Sequence, residues 1–437
     1  MSVFRRAPSG LHVPGHQRPA LTRRGLLAGA GLAAAGTAVS MWSAQAAGAP
    51  DSSSIPWETL RSMVGVCLKI KDSQPWTNHA ELLDALKTGG FSWVRTDALS
   101  GASYAKAALD TYGQGGIKIQ AIMGFPTMGP QPADLVDFLV TNNLTQWLIA
   151  LEGANEWNLR EGHEATWVSE LLAHQVALYQ AAKSTPETRG LPVVAPSMGM
   201  LKDWDTWGFH PEILNAENSH CYYGANPPED KARKAVDLPR ASCGYLPVIL
   251  TETGSHDLMT WSSEHYPTPN DVAAVYDVRS VLIYFLLGVP RLSFYTLADP
   301  GTGNDKEDHF GLLTYTLAPK PQFTALANLS KVIARGGLSG SVSSFSRTIS
   351  GADDVWSVAA KGPNGRVLLF VWRDVSIYDR NTKQHLHPST KSVHVDFGTN
   401  RSVAVFNPVR GSSQIDEHHG SSITLGLAGE ALCLDIS

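Results

Sequence analysis

Two glutamates carry the chemistry most easily read from this chain: Glu156, in the stretch GANEWN, and Glu252, in LTETG, each following a short apolar run. A pair of carboxylates brought to one bond suits cleavage of a glycosidic linkage. One carboxylic acid protonates the departing oxygen while the other carboxylate attacks the sugar carbon. In that scheme Glu156 is the acid and later the base, and Glu252 is the nucleophile. Asn155, beside the acid, is placed to donate to a hydroxyl next to the reacting carbon. The two roles require opposite protonation at one pH. Arg95 and Tyr222 are expected to reach Glu252 and favour its charged form, whereas Glu156 is expected to keep its proton beside the negative Glu252.

Further candidates sit at the ends of other apolar runs: Arg95 and Asp97 in VRTD, His220 and Tyr222 in HCYY, and Tyr295 in RLSFYTL. Charged groups are rarely left at the edge of a core without a partner or a task. Trp157, Trp204, Trp207 and Trp261 fall in or near connecting segments, where a flat ring can stack on a sugar. No metal or cofactor is expected. GHEATW is not H-E-x-x-H, and the acidic stretch GTGNDKEDHFG lacks the EF-hand spacing. The dinucleotide-like GAGLAA near the N-terminus has no strand before it. The four cysteines show no C-x-x-C spacing, and Cys221 with Cys243 is the pair that export would allow to join.

Positioning such residues from distant parts of the chain requires a scaffold with many strand ends on one side. Eight β-branched runs alternate with helical segments: 63–70, 91–97, 117–124, 147–156, 192–197, 218–223, 247–252 and 291–297. Helices are expected over 78–90, 132–143, 163–184 and 270–288, the first opening on an asparagine cap and the second carrying proline in its first turn. Eight strands with interleaved helices suit a (β/α)8 TIM barrel over residues 60–336, with catalytic side chains at the carboxyl ends of the strands. An open doubly wound sheet is the alternative, disfavoured by strand number and by the lack of a phosphate loop. Residues 337–437 change texture to short alternating runs split by Gly, Asn, Pro and Ser, expected to form a small antiparallel β-sandwich in an accessory role.

The composition is 43% hydrophobic and 17% charged, enough to bury a large core, and the net charge of −5 gives nucleic acid no basic face to bind. A carbohydrate is the expected partner. Residues 1–46 read as a twin-arginine export signal: Arg23 and Arg24 precede a weakly apolar Ala/Gly stretch, with cleavage after Ala46 and a linker over 47–59. On that reading the mature protein is secreted from a bacterium and keeps no membrane anchor.

Taken together, the motifs resemble those of the clan A glycoside hydrolases, among them family 39 and family 5 types. In that group the acid/base glutamate follows an asparagine at the end of the fourth strand, and the nucleophile ends the seventh. GANEWN is similar to the first motif and LTETG to the second, HCYY resembles the His-x-Tyr after the sixth strand, and VRTD resembles the arginine of the second. HFGLLTYTLAPKPQFTAL (309–326) is similar to the connection into the last helix of several members. The resemblance implies a retaining β-glycosidase in a (β/α)8 barrel, with Glu156 and Glu252 in the roles above and Asn155, Arg95, His220 and Tyr222 supporting them. The chain departs from the group at Tyr295, where many members carry a tryptophan, which leaves the sugar open. A transglycosylase on the same scaffold, or a carbohydrate-binding barrel without catalysis, would share these residues.

Overall fold

The computed structural model describes residues 55–98, 103–244, 246–335 and 344–437. The export signal and its cleavage point lie outside them, as does most of the expected linker. Within the described part, Ile55 O accepts from Lys361 N at 2.6 Å, and a first helix starts at Trp57.

All eight expected strands form. They are β1 (Val64–Cys67), β2 (Trp93–Asp97), β3 (Lys118–Ile122), β4 (Leu148–Glu152), β5 (Val193–Val194), β6 (Glu217–Tyr222), β7 (Val248–Gly254) and β8 (Leu292–Phe294). They pair in parallel in the order β5-β4-β3-β2-β1-β8-β7-β6. Closure comes from a bridge between Val194 and Ala216, with Ala195 N–H donating to Ala216 O at 2.9 Å. The barrel is packed with side chains rather than hollow. Gly65 on β1 illustrates how tightly: a Cβ there would lie 2.3 Å from the Trp93 ring, so only glycine lets that indole fill the barrel's lower end.

The helices are α1 (Trp57–Met63), α2 (His79–Gly89), α3 (Ser103–Gln114), α4 (Pro132–Thr141), α5 (Trp167–Ser184), α6 (Trp204–Trp207), α7 (Glu229–Cys243), α8 (Asn270–Leu286) and α9 (Pro321–Ala334). The glycine expected to stop α2 does so: Gly90 adopts φ 77°, and its N–H closes on Leu86 and Lys87 carbonyls. Helix α8 is buried from Val272 to Phe285, which explains its nearly uniform apolar sequence. No described helix is long and apolar enough to cross a membrane.

The C-terminal region is all β: β9 (Thr348–Ser350), β10 (Val355–Lys361), β11 (Val367–Arg373), β12 (Tyr378–Asp379), β13 (Gln384–His385), β14 (Lys391–Phe406), β15 (Gln414–Leu427) and β16 (Leu432–Ile436). Six of these strands form an antiparallel sheet in the order β10-β11-β16-β14-β15, with β9 beside β14, and β12 pairs with β13. The sheet doubles over itself where β14 shifts register between Asp396 and Arg401, around Gly398 at φ 70°. Val393, Val395 and Phe397 before the bend, and Val403 and Val405 after it, enter one apolar cluster, as a sandwich requires. Strand β11 is buried on both faces: Val367, Leu369 and Val371 join that cluster, while Leu368, Phe370 and Trp372 join the core of the barrel.

Candidate active site

The inward-facing residues of adjacent strands stack in layers, and the strand register fixes which meet. On β2 the inward set is Trp93, Arg95 and Asp97; on β1 it is Gly65 and Cys67, with Cys67 paired to Arg95 and Lys69 just past the strand's end. Arg95 is buried in the middle layer, where a cation must be compensated. Its Nε lies 3.0 and 2.9 Å from the two Glu152 oxygens, and its Nη2 lies 2.7 Å from Glu152 Oε1. The same nitrogen donates to Asn155 Oδ1 at 2.6 Å, and Nη1 donates to Glu252 Oε1 at 2.6 Å. One guanidinium thus ties the second strand to the amide, to the seventh-strand carboxylate and to Glu152.

Glu152 is the principal residue that the sequence reading missed. Strand β4 ends there, not at Glu156, and residues 153–156 form the loop that follows. The carboxylate is fully buried and held by Arg95, Gln120 (2.7 Å) and Asn218 (2.9 Å). Burial pushes its pKa up, but the Arg95 charge and these donors outweigh it and hold the group below the usual carboxylate range. The signal was present in WLIALE, a carboxylate at an inward position of an otherwise apolar strand.

Glu156 stands in the loop in the left-handed region, φ 45° and ψ 37°. A non-glycine residue there stores about 1 kcal/mol or more, and such strain persists where the surroundings enforce it. Its N–H donates to Ser197 O at 3.2 Å and to Ser197 Oγ at 3.1 Å. The side chain turns toward β6, where His220 Nδ1 lies 2.6 Å from Oε1. Glu252, nearly buried on β7, accepts Tyr222 OH on Oε2 at 2.6 Å, and His220 Nδ1 stands 3.4 Å from the same oxygen. One oxygen of each carboxylate and His220 Nδ1 all lie within 4.8 Å of one another. This is the only group among the described residues spaced to surround a metal ion. The 2.6 Å contact nevertheless suits a shared proton, since tetrahedral ligands at about 2.0–2.1 Å from zinc stand about 3.3 Å apart.

The histidine's proton arrangement follows from its other neighbours. Asn218 Nδ2 donates to Glu152 and to Ala195 O (3.1 Å), so its Oδ1 accepts from Thr251 Oγ1 at 2.5 Å. The Thr251 oxygen therefore accepts from His220 Nε2 at 2.9 Å, leaving Nδ1 to face Glu156. Glu156 and His220 share one proton, with the imidazole's far side pinned through Thr251 and Asn218 to the Glu152–Arg95 pair. This corrects the electrostatic expectation. Burial is the largest single influence and pushes the Glu156 pKa up, but the hydrogen bond and charge of His220, joined by the charges of Arg95 and His265, together outweigh it, and the net direction is down.

Of the remaining candidates, Tyr295 lines the mouth beside Tyr222, with ring centroids 6.4 Å apart, and its OH donates to Glu307 at 3.0 Å. Asp97 lies one layer above Arg95. Trp261 is partly exposed, with Lys306 5.9 Å from its ring centroid. Trp157 does not offer a ring to the mouth. It is 1% exposed, its Nε1 donates to Glu170 at 2.6 Å, and its indole packs against Phe125 and His163. Trp204 and Trp207 are likewise buried in the same small core. GANEWN uses its indole to anchor the loop that presents Glu156. Cys221 is a buried free thiol, and the side chain of Cys243, its expected partner, lies outside the described part of the structure.

No family model matches the chain, and no curated protein matches it. Solved structures do. A family 39 glycoside hydrolase from Bacteroides cellulosilyticus is 14% identical with a TM-score of 0.58, over 88% of this chain and 81% of that one. A glucosidase from Croceicoccus marinus is 13% identical with a TM-score of 0.55, over 86% and 96% of the two chains. The chain therefore has the fold of these proteins, an eight-stranded parallel barrel continued by an antiparallel β domain.

Proposed function

We propose that the protein is a retaining glycoside hydrolase that cleaves β-glycosidic bonds of an oligo- or polysaccharide. The observation that carries this reading is the approach of the Glu156 and Glu252 carboxylates to within 4.8 Å. Retaining enzymes hold theirs about 5–5.5 Å apart, whereas inverting ones leave room for a water at about 6.5–9.5 Å. A Glu252 oxygen attacks the anomeric carbon as its bond to the leaving oxygen breaks, and Glu156 delivers its proton to that oxygen. The sugar is then an ester of Glu252. Glu156, now ionised, takes a proton from water, whose oxygen attacks the same carbon and releases Glu252. Arg95 and Tyr222 orient the nucleophile, and Asn155 is held by Arg95 beside the position of the adjacent sugar hydroxyl.

The likeness of fold to a family 39 glycoside hydrolase and a glucosidase supports the reading, as does the order of the motifs along the chain. Following the first product by 1H NMR on a β-glycoside tests it. The β-anomer is expected to appear first and to mutarotate later; the α-anomer appearing first contradicts double displacement.

A further inference from the structure

Two titratable side chains at the barrel mouth take no part in the chemistry above. Asp97 ends β2 two residues after Arg95, and Lys69 lies two residues past Cys67, the last residue of β1 and the partner of Arg95; Leu68 N–H still donates to Arg95 O at 2.9 Å, so the alignment runs on past the strand end and sets Lys69 and Asp97 at the mouth, one layer above Arg95. Lys69 Nζ lies 5.3 Å from the Tyr295 ring centroid, on the wall that also carries Glu307. Among the described residues, neither Lys69 nor Asp97 makes a side-chain hydrogen bond or ion pair. Burial lowers the Lys69 pKa and raises those of Asp97 and Glu307. Polar groups withdrawn from water without partners cost free energy, and in a cleft they are groups awaiting a ligand.

We propose that Lys69 and Asp97 together grip the ring hydroxyls of the sugar on the side away from the scissile bond, and that this sugar is neutral. The inference rests on the glycosidase reading and adds the substrate class. A hydroxyl donates to the Asp97 carboxylate while its neighbour accepts from the Lys69 ammonium, so a vicinal diol satisfies both groups at once. A uronic acid does not suit this wall. Arg95 is already held by Glu152 and Glu252, leaving one ammonium against the carboxylates of Asp97, Glu252 and Glu307.

The test compares kcat/KM for the full chain, Lys69→Met and Asp97→Asn on neutral and uronic 4-nitrophenyl β-glycosides. The best neutral substrate is also assayed as its 3-deoxy and 4-deoxy derivatives. Wild type should prefer a neutral glycoside. Each variant should lose about 10- to 100-fold on it, the worth of one hydrogen bond to a charged group, and only a few-fold on the derivative lacking the contacted hydroxyl. A preference for the uronide, or variants equal to wild type on the parent sugar, overturns the inference while leaving the hydrolase reading intact. Should wild type cleave no glycoside, the hydrolase reading fails, and binding of neutral and uronic sugar lactams by tryptophan fluorescence decides this inference. Neutral binding weakened in both variants supports it; uronic preference or unchanged binding overturns it.

Discussion

Glu156 sits where burial and a neighbouring imidazole pull its proton in opposite directions, and His220 prevails. Replacing His220 by asparagine removes the imidazole's hydrogen bond and charge, the largest of the influences that oppose burial, and leaves only the weaker charges of Arg95 and His265 against it, so the Glu156 pKa should rise. On the proposed mechanism the acid step needs protonated Glu156, so activity is expected to fall as pH rises through that pKa. The alkaline limb of kcat/KM should therefore move to higher pH in His220→Asn, together with a lower maximum. A profile that falls in height without moving would show that His220 serves only to position the loop. The residues around Glu156 were partly legible: Glu156, Glu252, Arg95, Asn155, His220 and Tyr222 all meet at one mouth. Glu152, Asn218 and Thr251 were not, because a buried polar group inside an apolar strand reveals its partners only when other strands arrive beside it. The tryptophans misled for a related reason, since an indole in a connecting segment reads the same whether it faces sugar or core.

At the scale of elements, α7, α8 and β11 meet in a buried cluster. Arg279 on α8 grips Glu229 on α7 with Nε at 2.9 Å and Nη2 at 2.6 Å, and both residues are buried. Trp372 Nε1 on β11 donates to the same carboxylate at 2.8 Å, and Arg279 Nη1 reaches Val375 O at 2.8 Å. The joint between barrel and sandwich thus includes a buried Arg279–Glu229 ion pair, with Asp374 Oδ1 3.7 Å from Arg279 Nη2 at its edge. Glu229→Ala should cost about 3–5 kcal/mol in denaturant unfolding, because it strands a buried guanidinium, whereas the double variant Glu229→Leu, Arg279→Met should cost less. A single variant within 1 kcal/mol of wild type would mean that water reaches the joint. Helix α7 escaped the sequence reading because its charged surface and internal Pro239 imitate a loop. Strands were easier, since the apolar runs of a buried parallel barrel stand out whatever their length. In β14 the segment around Gly398 looks like a turn between two strands, yet the backbone only bends there and continues.

Over the whole molecule, the barrel and the sheet domain are not loosely joined bodies. Leu368, Phe370 and Trp372 share one apolar cluster with Val278 and Leu282 of α8, so the sandwich completes the burial of a barrel helix. The change of sequence texture near residue 337 disclosed two architectures but not this common core, because both faces of β11 are apolar and the run from Val367 to Trp372 cannot say which neighbour covers which face. The barrel brings seven strand ends or the loops after them to one mouth, and every role proposed there depends on Glu252 forming a bond to sugar. Treating the intact protein with a 2-deoxy-2-fluoro β-glycosyl fluoride, then mapping the adduct by peptide mass spectrometry, tests this most directly. One fluorosugar per chain on Glu252, with activity lost in step and Glu252→Gln unlabelled, is the expected result; a stable adduct on Glu156 or on any other residue contradicts it.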